Sequence, residues 1–383
     1  MNSLTCTVIL PTFNRARYIA EAIESLLRQT RRPDQIIVVN DGSTDETLSV
    51  LKAFSDQVEV IFKPNGGKAS AINMAMPQVR GDCVWVFDDD DVALPDALQR
   101  HLDVLEKNHE AGFTYSPLLV GYSGGDDRII PHHETWLPKV DDDEFFIRLM
   151  EHSFIQGQPS VVSRTKCLND IGGFDERLVR SQDYDIILRL ARHYRPARIE
   201  EPTFIQRRHS GPRGTLAQSY SSADPLAQWS KYNRIFITEL LNDLPLARYV
   251  RNSDSFDERL ARIQRFVIAT RHGILDHAER DLVEIVASRG DLTAEERRIL
   301  IRSLTFFTAL REIGMASCLR LARLCQGQIG RQIRVTMAKG LVYEVLNASR
   351  MSRFSETRKL MPRIVALIGL PGAVELIREK LPG

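Results

Sequence analysis

One stretch restricts the fold more than any other. Cys83-Val84-Trp85-Val86-Phe87 is an unbroken apolar run, and Asp88-Asp89-Asp90-Asp91 follows it directly. Such a run reads as a strand buried on both faces, the kind found in parallel sheets covered by helices. Four adjacent carboxylates at its end repel one another and resist desolvation. Two readings fit: a solvated acidic turn, or a cluster gathered round a divalent cation. Hard carboxylate oxygens suit Mg²⁺ or Mn²⁺, ions often held by one or two carboxylates while substrate phosphates complete the shell.

Upstream, strands and helices alternate. Thr5–Phe13 reads as a first buried strand, with Asn14 placed to cap a helix in which Ile19, Ala22, Ile23, Leu26 and Leu27 recur at helical spacing. Gln35–Asn40 is a second strand, closed by Asp41-Gly42-Ser43. Ser43 and Glu46 have capping-box spacing for a helix carrying Leu48, Leu51 and Phe54. Val58–Phe62 is a third strand, and Asn65-Gly66-Gly67-Lys68 turns into a small-residue helix, Ala69–Ala75. After the aspartates, Pro95 opens a helix through Leu98, Leu102 and Leu105. This alternation predicts a doubly wound, mostly parallel α/β sheet flanked by helices. Ligands of such sheets bind beyond the carboxyl ends of the strands. Thr12–Arg15, Asp41–Ser43 and Asp88–Asp91 are therefore expected along one edge.

Further on, Phe113–Tyr122 reads as a strand pair with a turn at Gly124-Gly125, Phe145–His152 as a helix and Ser160–Ser163 as a short strand. Ser181–Asp185 starts a helix whose buried side is Ile186, Ile187 and Leu190. From about Asp224 almost everything reads as helix. Trp229, Ile235, Phe236 and Leu240 fit one, and Ser255 with Glu258 and Thr293 with Glu296 can box-cap two more. The expected division is residues 1–223 and a helical region, 224–383.

A formal net charge of +1 gives no general pull toward nucleic acid. It hides a basic end: residues 301–383 hold 14 Lys or Arg against 5 Asp or Glu. Two readings stand for these helices. Either they are solvated faces packed on the rest of the chain or on a dimer partner, or they dock on anionic lipid. In the second case Phe306, Phe307, Ile364 and Ile368 would insert. Cys6, Cys83, Cys167, Cys318 and Cys325 form no Cys-x-x-Cys pair, which argues against a zinc knuckle or a disulfide framework and suits a reducing compartment. There is no charged-then-apolar leader and no apolar run of the roughly 18–20 residues a spanning helix needs. The nearest, Ile364–Ile377, is broken by Pro371-Gly372. The expected location is the cytoplasm, at most peripheral on the inner membrane face.

Four other places can carry chemistry. Asp41, between a strand and a helix, can accept a hydrogen bond from a base or ribose, or close a plain Asp-Gly turn. Asn65-Gly66-Gly67-Lys68 offers backbone N–H groups at a helix start and an ammonium, which suit a diphosphate. Asp183 is either a helix N-terminal charge or a general base for an incoming hydroxyl. His209 is structural or functional, and Arg207 and Arg208 beside it can pair with phosphate oxygens.

Five motifs in order then resemble the family-2 glycosyltransferases with a GT-A fold. They are Val8-Ile9-Leu10-Pro11-Thr12-Phe13-Asn14-Arg15, Asn40-Asp41-Gly42-Ser43-Thr44-Asp45, Phe87 with its aspartates, Gly172-Gly173-Phe174-Asp175-Glu176, and Gln182-Asp183-Tyr184-Asp185 with Leu188-Arg189-Leu190. The match covers about residues 4–210. The resemblance implies metal-dependent transfer of a sugar from a nucleotide-diphosphate donor, with inversion. It implies that Pro11, Thr12, Phe13 and Arg15 line the nucleoside pocket and that Asp41 holds the base; Asn65 and Lys68, at the helix start that suits a diphosphate, are counted with the donor site. Asp88 and Asp90 fall on the family's Asp-x-Asp positions, or Asp89 and Asp91 if the register slips by one. Asp88 and Asp89 are thus assigned to the donor. Asp90, Asp91 and His209 are assigned to a Mn²⁺ or Mg²⁺ ion. Asp183 falls on the base position.

The Gln-x-x-Arg-Trp signature of processive synthases is absent, as are membrane spans, which favours addition of one sugar at a time; the expected acceptor is a glycan or a lipid-linked acceptor of the cell surface. Two rivals remain. A sugar nucleotidyltransferase would carry a Gly-rich basic loop after the first strand, where this chain has Pro11-Thr12-Phe13-Asn14-Arg15. A nucleotide-sugar-binding protein without catalysis is hinted at by Gln182, which stands where the family usually has Glu.

Overall fold

The computed structural model describes residues 3–125, 128–209, 213–214, 219–220, 225–251, 256–305, 314–350 and 354–378. They form two units, Met1–Tyr232 and Asn233–Gly383.

In the first unit the apolar runs become the strands that sequence pattern predicts. They are β1 (Cys6–Thr12), β2 (Gln35–Asn40), β3 (Glu59–Phe62) and β4 (Cys83–Val86). Every residue of β1, β2 and β4 is buried, as expected of strands covered on both faces. Between and after them come α1 (Ile19–Leu27), α2 (Thr47–Lys52), α3 (Lys68–Ala75), the short β5 (Val92–Ala93) and α4 (Ala97–Lys107). The later elements are β6 (Ala111–Tyr115), β7 (Leu119–Ser123), β8 (Ile129–Glu134), α5 (Asp142–Glu151), β9 (Val161–Arg164), α6 (Thr165–Asp170), α7 (Gln182–His193), β10 (Arg195–Arg198) and β11 (Phe204–Arg208).

Seven strands form the main sheet in the order β10-β6-β9-β4-β1-β2-β3, parallel except for β9, which runs antiparallel to both β4 and β6. Pairing Pro11 with Val39 and Val8 with Trp85 aligns the ends of β1, β2 and β4. The three polar clusters therefore leave the sheet at one edge. A second sheet, β5-β11-β7-β8, stands beside it. Here the structure corrects the expected strand pair over Phe113–Tyr122. β6 and β7 belong to different sheets, and the turn at Gly124 joins β7 to β8 instead. Three residues, 116–118, carry the chain from one sheet to the other, and no periodic pattern announces that change of partner.

Two caps also differ from expectation. Asn14 does not cap α1; its backbone is left-handed (φ 53°) and its Oδ1 accepts from the Thr44 N–H at 2.8 Å. Ser43 does not cap α2; its hydroxyl accepts from the Asn14 N–H at 3.0 Å, while Asp45 takes the Thr47 N–H at 3.0 Å. Both side chains thus tie the loop after β1 to the loop after β2.

The second unit is helical among its described residues. Helices cover Glu258–Arg271, Leu275–Ala287, Ala294–Thr305, Gly314–Leu324, Gly327–Arg350 and Phe354–Arg378. The Thr293–Glu296 capping box is present: Glu296 accepts from the Thr293 N–H at 2.6 Å and Thr293 from the Glu296 N–H at 3.2 Å. Ser255, Phe306 and Phe307 lie outside the described residues. Ile364 is fully buried, so it is not available to enter a lipid surface. The last helix kinks at Gly369, where the backbone is left-handed (φ 76°). Among the described residues no helix is long and apolar enough to cross a membrane.

Candidate active site

Asp41 is buried just past β2, and its carboxylate organises the turn after β3. Its Oδ1 accepts from Lys63 Nζ and from the Gly66 N–H at 2.9 Å; its Oδ2 accepts from Asn65 Nδ2 at 3.1 Å and from the Gly67 N–H at 2.7 Å. A carboxylate has about four acceptor directions, and these donors use them all. Gly67 has φ 93°, a conformation that favours glycine and lets its N–H turn toward Asp41. The turn then opens α3 and aims Lys68 at the aspartate run, where its ammonium pairs with Asp88.

The four aspartates do not behave alike. Asp88, Asp90 and Asp91 each offer an oxygen, and these atoms lie within 4.8 Å of one another. Asp89 lies outside that group and faces Arg15, whose Nε is 3.6 Å from Asp89 Oδ1 and 3.9 Å from Asp90 Oδ2, and it takes a long hydrogen bond (3.4 Å) from the Phe13 N–H. His209 Nε2 is 2.7 Å from Asp90 Oδ2. Asp91 Oδ1 accepts from the Arg207 N–H at 2.9 Å. This contact exists because β5 follows Asp91 directly and pairs antiparallel with β11, Ile205 against Val92.

Burial raises the pKa of every carboxyl group here for which a shift is resolved. Asp91 is held well above the usual carboxylate range by burial and by the charges of Asp90 and Asp88. Asp88 is raised by burial, with the Lys68 ammonium pulling the other way. Asp89 is pushed up to about 7 by burial, against the pull of Arg15. For Lys68, burial alone would lower the pKa, but the carboxylates of Asp88, Asp183 and Asp90 outweigh it and raise it. Three converging carboxylate oxygens, all of them hard donors, fit a divalent cation of the Mg²⁺ or Mn²⁺ kind.

Asp183 sits in the first turn of α7, with Oδ1 accepting from the Tyr184 N–H at 2.9 Å. Its charge reaches both Lys68 and Asp88, so α7 presents it to the same cluster. Ser181 enters the helix with left-handed backbone, φ 64°. The helix is held from two sides. Arg189 pairs with Asp185 at 2.6 Å and donates to the Ile171 carbonyl at 2.8 Å. Asn73, on α3, donates to the Phe174 carbonyl at 2.8 Å and accepts from the Phe174 N–H at 2.9 Å.

The structure corrects one assignment. Arg207 is not a phosphate contact: it is buried and spends its donors within the chain. Arg208 is exposed. Lys63 and Asn73 carry no expectation from sequence, and the place of Arg207 inside the chain is not expected either. Only Lys63 left a signal: β2 and β3 pair Asn40 with Phe62, so the next residues, Asp41 and Lys63, must face each other.

Residues 7–170 match the family described as glycosyl transferase family 2. That segment, less than half of the chain, is what is similar to glycosyl transferase family 2. The family 2 segment holds β1 to α6, and with them Asp41, Lys68 and the aspartate run; Asp183 and His209 follow it. Similar curated proteins include an uncharacterised glycosyltransferase of Rickettsia conorii, 29% identical over 230 residues, which are 59% of this chain and 37% of that one. A chondroitin synthase of Pasteurella multocida is 30% identical over 188 residues, 48% of this chain and 18% of that one. The chain thus spans well under two thirds of these relatives. Among solved structures, S. aureus TarS 1–349 in complex with UDP-GlcNAc aligns with a TM-score of 0.52 and 18% identity, over 94% of this chain and 91% of that one. That likeness is one of fold, and it agrees with the expected GT-A architecture.

Proposed function

We propose that this chain moves one sugar at a time from a nucleotide-diphosphate donor to an acceptor hydroxyl, with inversion at the anomeric carbon. The observation that carries the reading is Lys68. One ammonium is tied to Asp88 of the carboxylate cluster and lies within the field of Asp183 on α7. Candidate donor site and candidate base thus share one charge network.

In this reading Pro11, Thr12, Phe13 and Arg15 line the nucleoside pocket at the end of β1. Asp41 serves the donor through the turn it holds, and Asn65 and Lys68 meet the diphosphate at the start of α3. Asp88, Asp90, Asp91 and His209 would hold Mn²⁺ or Mg²⁺. A cation bound there would supply positive charge to the departing diphosphate. Asp183 takes the proton of the acceptor hydroxyl as the oxygen attacks the face opposite the leaving group. Asp89, turned to Arg15, keeps that guanidinium at the nucleoside end.

We place residues 1–223 as the catalytic domain and 224–383 as a helical region that packs, dimerises or meets a membrane surface in the cytoplasm. A glycan or lipid-linked acceptor of the cell surface is supported by two relatives that carry the names chondroitin synthase and hyaluronan synthase.

The deciding experiment is Asp183→Asn, assayed for sugar transfer with Mn²⁺ across a panel of nucleotide sugars. General-base assistance contributes about 10²–10⁴ in rate, so turnover should fall by that factor while donor affinity stays near wild type. Near-full transfer activity in the variant would remove Asp183 from the mechanism.

A further inference from the structure

The aspartate run has one support that its own sequence does not contain. Arg207 is among the largest fully buried side chains of the molecule. Its Nε donates to the Asp90 carbonyl at 2.9 Å, its Nη1 to Ser123 Oγ at 2.8 Å and its Nη2 to Glu21. Its guanidinium lies over the Tyr18 ring, 4.8 Å from the centroid. Its backbone N–H holds Asp91 Oδ1 at 2.9 Å. Two residues on, His209 holds the carboxylate of Asp90, and its ring stands 5.3 Å from the same Tyr18 ring.

We infer that Arg207 is the positioning residue that fixes the register of the aspartate run. Residue 90 is gripped at its carbonyl and residue 91 at its carboxylate, both by Arg207. With those two points fixed, the backbone between β4 and β5 has one way to run. That path brings Asp88, Asp90 and Asp91 together and turns Asp89 out toward Arg15. The planar, five-donor guanidinium suits this task because it meets three acceptors in different directions at once, which an ammonium on a flexible stem does not. The ion pair with half-buried Glu21 fixes the guanidinium in turn. The inference rests on the cation-binding reading above.

The test is Mn²⁺ affinity of the full chain, followed by loss of the free-ion paramagnetic resonance signal, in wild type, Asp90→Ala and two register variants. Arg207→Lys keeps the charge opposite Glu21 but cannot span all three acceptors. The double variant Arg207→Met with Glu21→Gln removes both charges of the pair, so Glu21 is not left charged without its partner. Circular dichroism establishes that each is folded. Groups that orient metal ligands typically contribute 10–100-fold in affinity, so Mn²⁺ binding should weaken about tenfold or more in every folded register variant. Wild-type Mn²⁺ affinity in either folded variant overturns the role given to Arg207 and leaves the cation site standing. Equal Mn²⁺ binding by wild type and Asp90→Ala overturns the cation site and this inference together.

Discussion

Lys63 and Asp41 form an ion pair in which both side chains are about 95% buried, at 5% and 4% relative exposure. Neither belongs to the metal cluster, yet between them they build the turn that delivers Lys68 to it. A buried pair broken on one side leaves an uncompensated charge and typically costs about 3–5 kcal/mol. Asp41→Asn should therefore destabilise the first unit by about that amount, because the amide NH₂ would face an N–H donor it cannot accept from. Urea unfolding of the variant measures this. A midpoint unchanged from wild type would show that the turn does not depend on the pair.

His209 adds a ring to the cluster from the far end of the second sheet. His209→Ala removes the 2.7 Å contact with Asp90 and leaves the backbone grip of Arg207 in place. The expected result is a tenfold or greater loss of Mn²⁺ affinity, together with a loss of stability, since the ring also packs against Tyr18 at 5.3 Å between centroids. Calorimetric Mn²⁺ titration and a melting curve check the two halves separately.

The edge where Asp41, Asp88–Asp91 and the Pro11-Thr12 strand end meet was legible from sequence because parallel strands in a doubly wound sheet all end on the ligand side. Apolar runs such as Gln35–Asn40 and Cys83–Phe87 fixed the strands, and the residue after each run fixed the edge. The internal division of the aspartates was not legible. It depends on β5 pairing with β11 and on Arg207 reaching across to Asp90, contacts that span more than a hundred residues and leave no local period. The same reason hid Asn73, a polar residue inside a small-residue helix whose partner is a backbone carbonyl in a loop. Asn14 and Ser43 misled because side chains that suit a helix cap equally suit a loop tether.

Asn73 joins the helix that begins at Lys68 to the loop that leads into α7. Its amide makes a reciprocal pair with the Phe174 backbone and a further bond to Glu176 at 3.0 Å. Beside it, Gly173 has φ 76°, and a Cβ there would stand 2.9 Å from Asn73 Oδ1. Asn73→Ala should leave donor affinity nearly unchanged, because its contacts with Phe174 and Glu176 involve none of the residues given to the donor. It should lower turnover about tenfold or more, because misplacing a base by about 1 Å is enough for a loss of that order. Steady-state kinetics separate the two: a raised KM for donor with unchanged kcat would contradict the proposed coupling.

The last prediction concerns acid stability and a residue outside the site. His101 is fully buried against Trp85, with Nδ1 2.8 Å from Thr114 Oγ1. Thr114 gives its own proton to the Val162 carbonyl at 3.2 Å, so His101 Nδ1 carries the hydrogen and the ring is neutral. Burial pushes its pKa down to about 3, far below the ordinary 6.5. Below pH 6.5 the unfolded chain therefore binds a proton that the folded chain refuses. Stability is complete above that value and declines as the pH falls toward 3, by up to about 1.4 kcal/mol per pH unit from this group alone. His101→Asn keeps an N–H donor for Thr114 and removes the titration. Urea unfolding at pH 7.5, 6 and 5 should show the variant less stable than wild type at neutral pH and the gap closing as the pH falls. A gap that stays constant across the three values would mean that His101 takes up its proton in the folded state as readily as in the unfolded one.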